Sequence, residues 1–170
     1  MAELLVIVAL IVVLAAIVLP NVLRSQISAN EAAAVGSIAT INRAEVSYRN
    51  AYPAIGFAGT LESLGPEGSD NHCKGPSSEH ACLIEGALAK ATSAGQTRSG
   101  YWFQVSSAPP LEGRGIDTTY VAGAAAAMYN QTGVRDFCSE EDGVVRYRDP
   151  GGNSHPATTA AECSAMLILQ

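Results

Sequence analysis

Leu4 to Leu19 read LLVIVALIVVLAAIVL, an unbroken run of 16 apolar residues that Pro20 and Asn21 close. As a helix the run would span about 24 Å, slightly less than the hydrocarbon core of a bilayer. A helix inside its own domain normally keeps a polar face, and a secretory signal normally begins with basic residues. This run has no polar face, and acidic Glu3 precedes it. It therefore predicts a helix that lies in a membrane at one stage and packs against copies of itself at another.

The residues after the apolar run predict a continuation of the helix with one apolar face. Between Asn21 and Tyr52 there is no proline and one glycine, Gly36. Apolar residues recur there at spacings of 3, 4 or 7, as an amphipathic helix requires: Ala34, Ile38, Ile41, Tyr48 and Tyr52. We expect Tyr48 and Tyr52 to anchor the helix on the sheet rather than to carry charge along stacked rings.

The combined helix is too long for its own domain. Its two parts would make about 50 residues, or about 75 Å, which a chain of 170 residues cannot enclose. The apolar part must therefore project and find partners in other molecules. Pro20 lacks an N–H donor and predicts a kink or an unwound stretch near residues 15–21.

The rest of the chain predicts an α+β domain. Pro53 ends the long helix, and residues 53–98 are rich in small residues and indicate a connecting region. Within it, residues 60–65 predict a helical turn and residues 83–94 a second helix. Alternating patterns then predict an antiparallel meander of about four strands within 99–149, over residues 101–106, 118–125, 135–138 and 143–147. Residues 152–170 are expected to form coil.

Composition and motifs argue against nucleic-acid binding and against catalysis. The formal net charge is −6, whereas a broad nucleic-acid surface would be basic. The sequence holds no Gly-rich phosphate loop, no G-x-S-x-G and no H-E-x-x-H. We therefore expect no enzymatic activity and no cofactor.

Four cysteines allow three disulfide connectivities. Sequential pairing would join Cys73 to Cys82 and Cys138 to Cys163, stabilising the fold by about 2.7 and 3.5 kcal/mol in a chain-entropy model. The alternative for the first pair is zinc held by His72, Cys73, His80 and Cys82, although their spacing matches no common zinc module.

Two further groups of polar residues allow more than one interpretation. Glu140, Glu141, Asp142 and Asp149 either provide oxygen ligands for calcium or are solvated acids of turns, and we expect the latter. Asn130, in the sequence Asn-Gln-Thr, is a candidate acceptor for N-glycosylation.

The N-terminal pattern resembles the mature N-terminus of type IV pilins and pseudopilins. That family places a glutamate just inside the mature N-terminus and a proline 17 residues later, as Glu3 and Pro20 are here. Later segments also resemble pilins, and the resemblance covers most of the chain: residues 30–42 (NEAAAVGSIATIN), 99–103 (SGYWF), 132–138 (TGVRDFC) and 143–147 (GVVRY).

The resemblance implies a division of the chain and a set of assembly residues. Residues 1–24 would be the transmembrane and filament-core half of the helix, 25–52 its amphipathic half, and 53–170 a globular head. Glu3 would pair with the α-amino group of Met1 in a neighbouring subunit and set its register. The apolar contacts would come from the helix half that ends at Pro20: Leu4, Leu5, Ile7, Leu14 and Ile17. A disulfide would bound the C-terminal region 138–163.

The function that the resemblance implies is structural. The chain would be the major subunit of a type IV pilus, anchored in the inner membrane and then polymerised into a surface filament used for adhesion or motility. Its partners would be copies of itself, the pilus assembly machinery and a prepilin peptidase.

Pilins carry a basic leader and a methylated N-terminal phenylalanine, so we expect Met1 to begin a mature or trimmed chain. The alternatives are a type II secretion pseudopilin and a membrane-anchored periplasmic ligand-binding domain.

Overall fold

The structure, a computed structural model, describes residues 2–68, 73–107 and 116–169. Within the long helix, the side chains of Ala2, Leu5 and residues 13–20 lie outside this description. The described part is an α+β fold in which a long N-terminal helix packs on an antiparallel sheet. The expected fold class is thus confirmed at this level.

The helix α1 runs from Ala2 to Ala51 without interruption. The predicted unwound stretch at residues 15–21 is therefore wrong, although a kink at Pro20 stays a prediction. A proline removes one N–H donor, and the hydrogen bonds of the neighbouring turns are enough to keep the backbone helical. Among the described side chains, the first buried one along α1 is Glu31, so the helix projects from the head over about 43 Å.

The second half of α1 packs on the sheet through the predicted apolar face. Ala34, Ile38, Ile41 and Tyr48 are all buried in the main core. The Tyr48 hydroxyl donates to the carbonyl of Ser78 at 2.7 Å, which ties the helix to the connecting region. Tyr48 is thus buried in the core that the helix shares with the sheet, as expected, but its hydroxyl binds the connecting region rather than the sheet. Its ring lies 4.9 Å from that of Tyr52.

The sheet has five strands in the order β1-β2-β3-β4-β5, and every neighbouring pair is antiparallel. The strands are β1 Tyr101–Ser107, β2 Tyr120–Ala126, β3 Asp136–Glu140, β4 Arg146–Arg148 and β5 Leu167–Ile168. The first four lie within a few residues of their predicted positions. The fifth is formed by residues predicted to be coil, so the expected number of four is corrected to five.

Three short helices complete the head: α2 Leu61–Leu64, α3 Gly86–Ala89 and α4 Ala160–Ser164. Thr60 caps α2 by accepting from the Ser63 N–H, as the predicted turn over 60–65 requires. The helix predicted over 83–94 is mostly wrong. Glu85 has an extended backbone with a ψ of 149°, so the helix begins only at Gly86. The Ala91 carbonyl accepts from the Phe103 N–H of β1.

The two faces of the sheet are covered by different parts of the chain. Side chains from alternate positions of β1, β2 and β3 face α1, among them Phe103, Tyr120 and Phe137. The opposite face is covered by the C-terminal segment, where Val121, Cys138, Ala157, Cys163 and Met166 form a second cluster. The disulfide between Cys138 and Cys163 lies in this cluster, as the pairing expected for the C-terminal region requires.

Candidate functional site

The first half of α1 exposes a dense apolar surface. Seven described side chains there are between 48% and 66% exposed: Leu4, Val6, Ile7, Val8, Leu10, Ile11 and Val12. Val22 and Leu23 continue the exposed apolar residues towards the head at 45% and 54%. A contiguous apolar surface of this kind marks a site of association with another apolar body.

The expected assembly residues are only partly described. Leu4 and Ile7 belong to the exposed apolar surface, and the Glu3 side chain is exposed at its start. Met1 and the side chains of Leu5, Leu14, Ile17 and Pro20 lie outside the described residues. Across the described part of the chain, no helix meets the length and apolarity needed to cross a membrane.

Glu31 fixes the helix to the head where the projecting half begins. One carboxylate oxygen, Oε1, accepts from the N–H groups of Val134 and Arg135 at 3.0 and 3.1 Å. The other, Oε2, accepts from the Arg135 guanidinium, from Nε at 2.9 Å and from one terminal nitrogen at 2.5 Å. Charge-assisted bonds of this kind are about twice as strong as neutral ones. This contact therefore fixes the helix against the segment before β3.

Neighbouring residues strengthen the same junction. The Asn30 amide donates to the Thr132 carbonyl at 2.9 Å, and the Tyr101 hydroxyl donates to the Arg135 carbonyl at 2.8 Å. Gly133 lies against the Tyr101 ring, where a Cβ atom would overlap the hydroxyl. Three of the segments that resemble pilins, which begin at residues 30, 99 and 132, thus meet at one place.

Glu45 is a buried carboxyl in the core between α1 and the head. Its side chain is 0% exposed, and its Oε2 accepts from the Ala58 N–H at 2.8 Å. Among the described residues, its Oε1 has no hydrogen-bond partner. Burial, with a smaller effect of the Asp117 charge, raises the pKa of Glu45 to about 8, against the lowering effect of the Ala58 bond. The group is thus mainly protonated at neutral pH.

Asp136 holds the C-terminal segment to the sheet. Its buried carboxyl accepts from the Ser154 hydroxyl at 2.5 Å, from the His155 N–H at 3.3 Å and from the Arg148 guanidinium at 3.4 Å. Burial raises the pKa of Asp136, and these three donors act in the opposite direction. The Arg148 guanidinium also donates to the His155 carbonyl, so the segment is fastened before α4 begins.

The candidate metal ligands have other partners. Cys73 and Cys82 are joined to each other, which removes both thiolates from the zinc alternative, and His72 lies outside the described residues. Three of the four acids considered for calcium are engaged separately: Glu140 with Ser164, Asp142 with Arg146, and Asp149 with Tyr129. The fourth, Glu141, is exposed. The described residues contain no group of three or more histidines, cysteines or acids arranged to hold a metal ion.

The candidate glycosylation acceptor lies at the surface. Asn130 is exposed in the turn before Gly133, with a φ of 60°. The Thr132 hydroxyl donates to the Met128 carbonyl at 3.2 Å within the same turn. Modification of Asn130 remains a prediction.

Sequence reasoning placed the apolar helix but missed the groups that orient it. The bonds that Glu31, Glu45 and Asp136 make were not predicted, although an acid on an otherwise apolar helix face is a signal for Glu45. Comparison with protein-family models, with curated proteins and with solved structures finds no match for this chain.

Proposed function

We propose that this chain is a filament subunit of the type IV pilus kind, which polymerises through the first half of α1. The observation that carries the proposal is the exposed apolar surface from Leu4 to Val12 on a helix that leaves the head. The resemblance in sequence supports the assignment to pilins, and a short periplasmic filament of the pseudopilin kind is its nearest variant.

The energy available from the helix is large enough to drive association. Fully burying a leucine, isoleucine or valine side chain stabilises by about 1.5–3 kcal/mol. Seven such residues, which are 48–66% exposed, would contribute roughly 6–12 kcal/mol per subunit if they lost all of their exposed area. Association itself costs roughly 4–15 kcal/mol. The apolar half can therefore supply most of the driving force, and contacts made by the head would add to it.

Before assembly the same half would lie in the inner membrane. The filament core and the bilayer are both apolar, so transfer between them requires little loss of hydrophobic stabilisation. In the filament, the carboxylate of Glu3 would meet the α-amino group of a neighbour and fix the register of each subunit.

Assembly of the full chain after detergent removal tests the proposal. Negative-stain microscopy should show filaments of uniform width, and mass spectrometry of sedimented material should identify this chain. The double substitution Ile7→Ser with Ile11→Ser, one turn apart on the exposed face, should abolish filaments. Leu83→Ser, on the head, is the matched control. A wild-type chain that stays monomeric without detergent would contradict the proposal.

A further inference from the structure

The sheet is wider than the helix that covers it. The helix α1 packs across β2 and β3, whereas β4 and β5 extend the sheet beyond it. On the side that faces α1, the register places Tyr147 beside Leu167, and the Leu169 N–H donates to the Val145 carbonyl at 2.9 Å. These four apolar residues, Val145, Tyr147, Leu167 and Leu169, form what we call the β4–β5 strip.

The strip borders a groove of about 690 Å³. Leu167 is 65% exposed in this groove, while Val145 and Tyr147 are only partly buried against the main core. Arg135 also borders the groove, and its charge is compensated by Glu31. Five of the six residues that line the groove have hydrophobic side chains, and the sixth is Arg135. The groove begins beside the residue at which α1 leaves the head.

The dimensions of the uncovered part fit one helix. Neighbouring strands lie about 4.8 Å apart, so β4 and β5 together widen the sheet by about 10 Å. Packed helices have axes about 8–10 Å apart. A second helix that lay beside α1 would therefore cover the β4–β5 strip and complete the helical layer on this face of the sheet.

We propose that the β4–β5 strip receives the projecting half of α1, residues 2–30, from a second copy of this chain. The inference rests on the proposed function and adds a contact of the head to it. The described part of each chain carries this groove and one projecting helix, so each copy can both offer a helix and receive one. The helix segment from Leu4 to Val12 is uncharged and apolar, as the groove requires.

Photo-crosslinking in assembled filaments tests the contact. A benzoylphenylalanine at position 167 of the full chain should crosslink to residues 2–30 of another copy, as mapped by mass spectrometry. The same probe at Met128, which is 53% exposed outside the groove, is the control and should not give these products. Crosslinks from position 167 that map only to another head, or filaments without intermolecular crosslinks at this position, would overturn the inference.

A charge in the groove provides a second readout. Leu167→Glu should lower the sedimented fraction at least tenfold, whereas Met128→Glu should leave it unchanged. Because Leu167 is mostly exposed, the variant should keep the wild-type melting temperature and circular dichroism spectrum. If wild-type filaments form and Leu167→Glu assembles equally well, the groove contact is wrong and the proposed function stands. If the wild-type chain does not self-associate, both are wrong.

Discussion

Glu31 on α1 and Arg135 just before β3 are joined across 104 residues of sequence by a bond of 2.9 Å from Nε to Oε2. The carboxylate is buried, and all four of its bonds come from residues 134 and 135. The helix therefore leaves the head at a fixed point and in a fixed direction. In a helical polymer that direction decides whether successive heads can meet.

Removing the Glu31 carboxylate should destabilise the head. Glu31→Ala leaves the N–H groups of Val134 and Arg135 and the guanidinium without their acceptor, which should cost about 3 kcal/mol of unfolding free energy. Chemical denaturation followed by circular dichroism measures this loss. Glu141→Ala, at an exposed acid, is the matched control. Equal stability of the two variants would contradict the role given to Glu31.

The stability of the head should fall as the pH rises, because the folded chain holds a proton on Glu45 that the unfolded chain releases. The folded form holds this proton with a pKa of about 8, against an ordinary value of 4.5, so unfolding releases it between these two values. Through Glu45, the unfolding free energy should fall by up to about 1.4 kcal/mol per pH unit in that window and level off above it. Denaturation of wild-type and Glu45→Gln chains at pH 5, 6.5 and 8 compares their slopes. The unfolding free energy of Glu45→Gln should fall less steeply with pH than that of the wild type. Equal dependence on pH in the two chains would show that the Glu45 pKa is not raised in the folded state.

The two disulfides should protect different parts of the chain. Replacing Cys138 and Cys163 by alanine should lower stability by about 3.5 kcal/mol in the chain-entropy model and expose residues beyond 140 to limited proteolysis. Replacing Cys73 and Cys82 should cost about 2.7 kcal/mol and leave the C-terminal segment resistant. Mass spectrometry of the first cleavage products shows which part of the chain each pair of substitutions has exposed. Early C-terminal cleavage in both variants would be the contrary result.

Gly123 should not tolerate a methyl group. A Cβ atom there would lie 2.6 Å from the Ala157 nitrogen and 2.9 Å from the Pro156 Cβ, so the C-terminal segment would have to move off the sheet. We expect Gly123→Ala to cost about 2 kcal/mol or more. Gly36→Ala is the control, because nothing lies within 4 Å of that Cβ and alanine favours a helix by about 1 kcal/mol. Thermal melts of both variants should shift in opposite directions.

Glu3 should affect assembly and leave folding unchanged. Glu3→Ala removes the charge proposed to pair with an α-amino group, so filament yield should fall at least tenfold while the melting temperature of the head stays the same. Mixing the variant with an excess of wild-type subunits and measuring its share of sedimented filaments gives the second readout. If the fraction of Glu3→Ala subunits in the filaments equalled their fraction in the mixture, Glu3 would have no role in setting the register of subunits.

The sequence predicted the features that follow from local pattern. The apolar run, the helical periodicity through Tyr48 and the alternation in β1 each depend on near neighbours, and the structure has them. The strand β5 was missed because two residues beside a short helix show no alternation, and their pairing depends on β4. The bond from Glu31 to Arg135 was missed because no local pattern connects an acid on a helix with a loop about a hundred residues away.

The strand at the edge of the sheet, β5, is made by residues 167–168, and Met166 just before it covers the disulfide. The sheet can therefore close only after residues 167–168 have left the ribosome, long after α1 has emerged. The apolar half of α1 has to be sheltered in the meantime, while the domain that will orient it is still unfolded. Removal of residues 166–168 would take away a sheet edge and uncover the disulfide between Cys138 and Cys163.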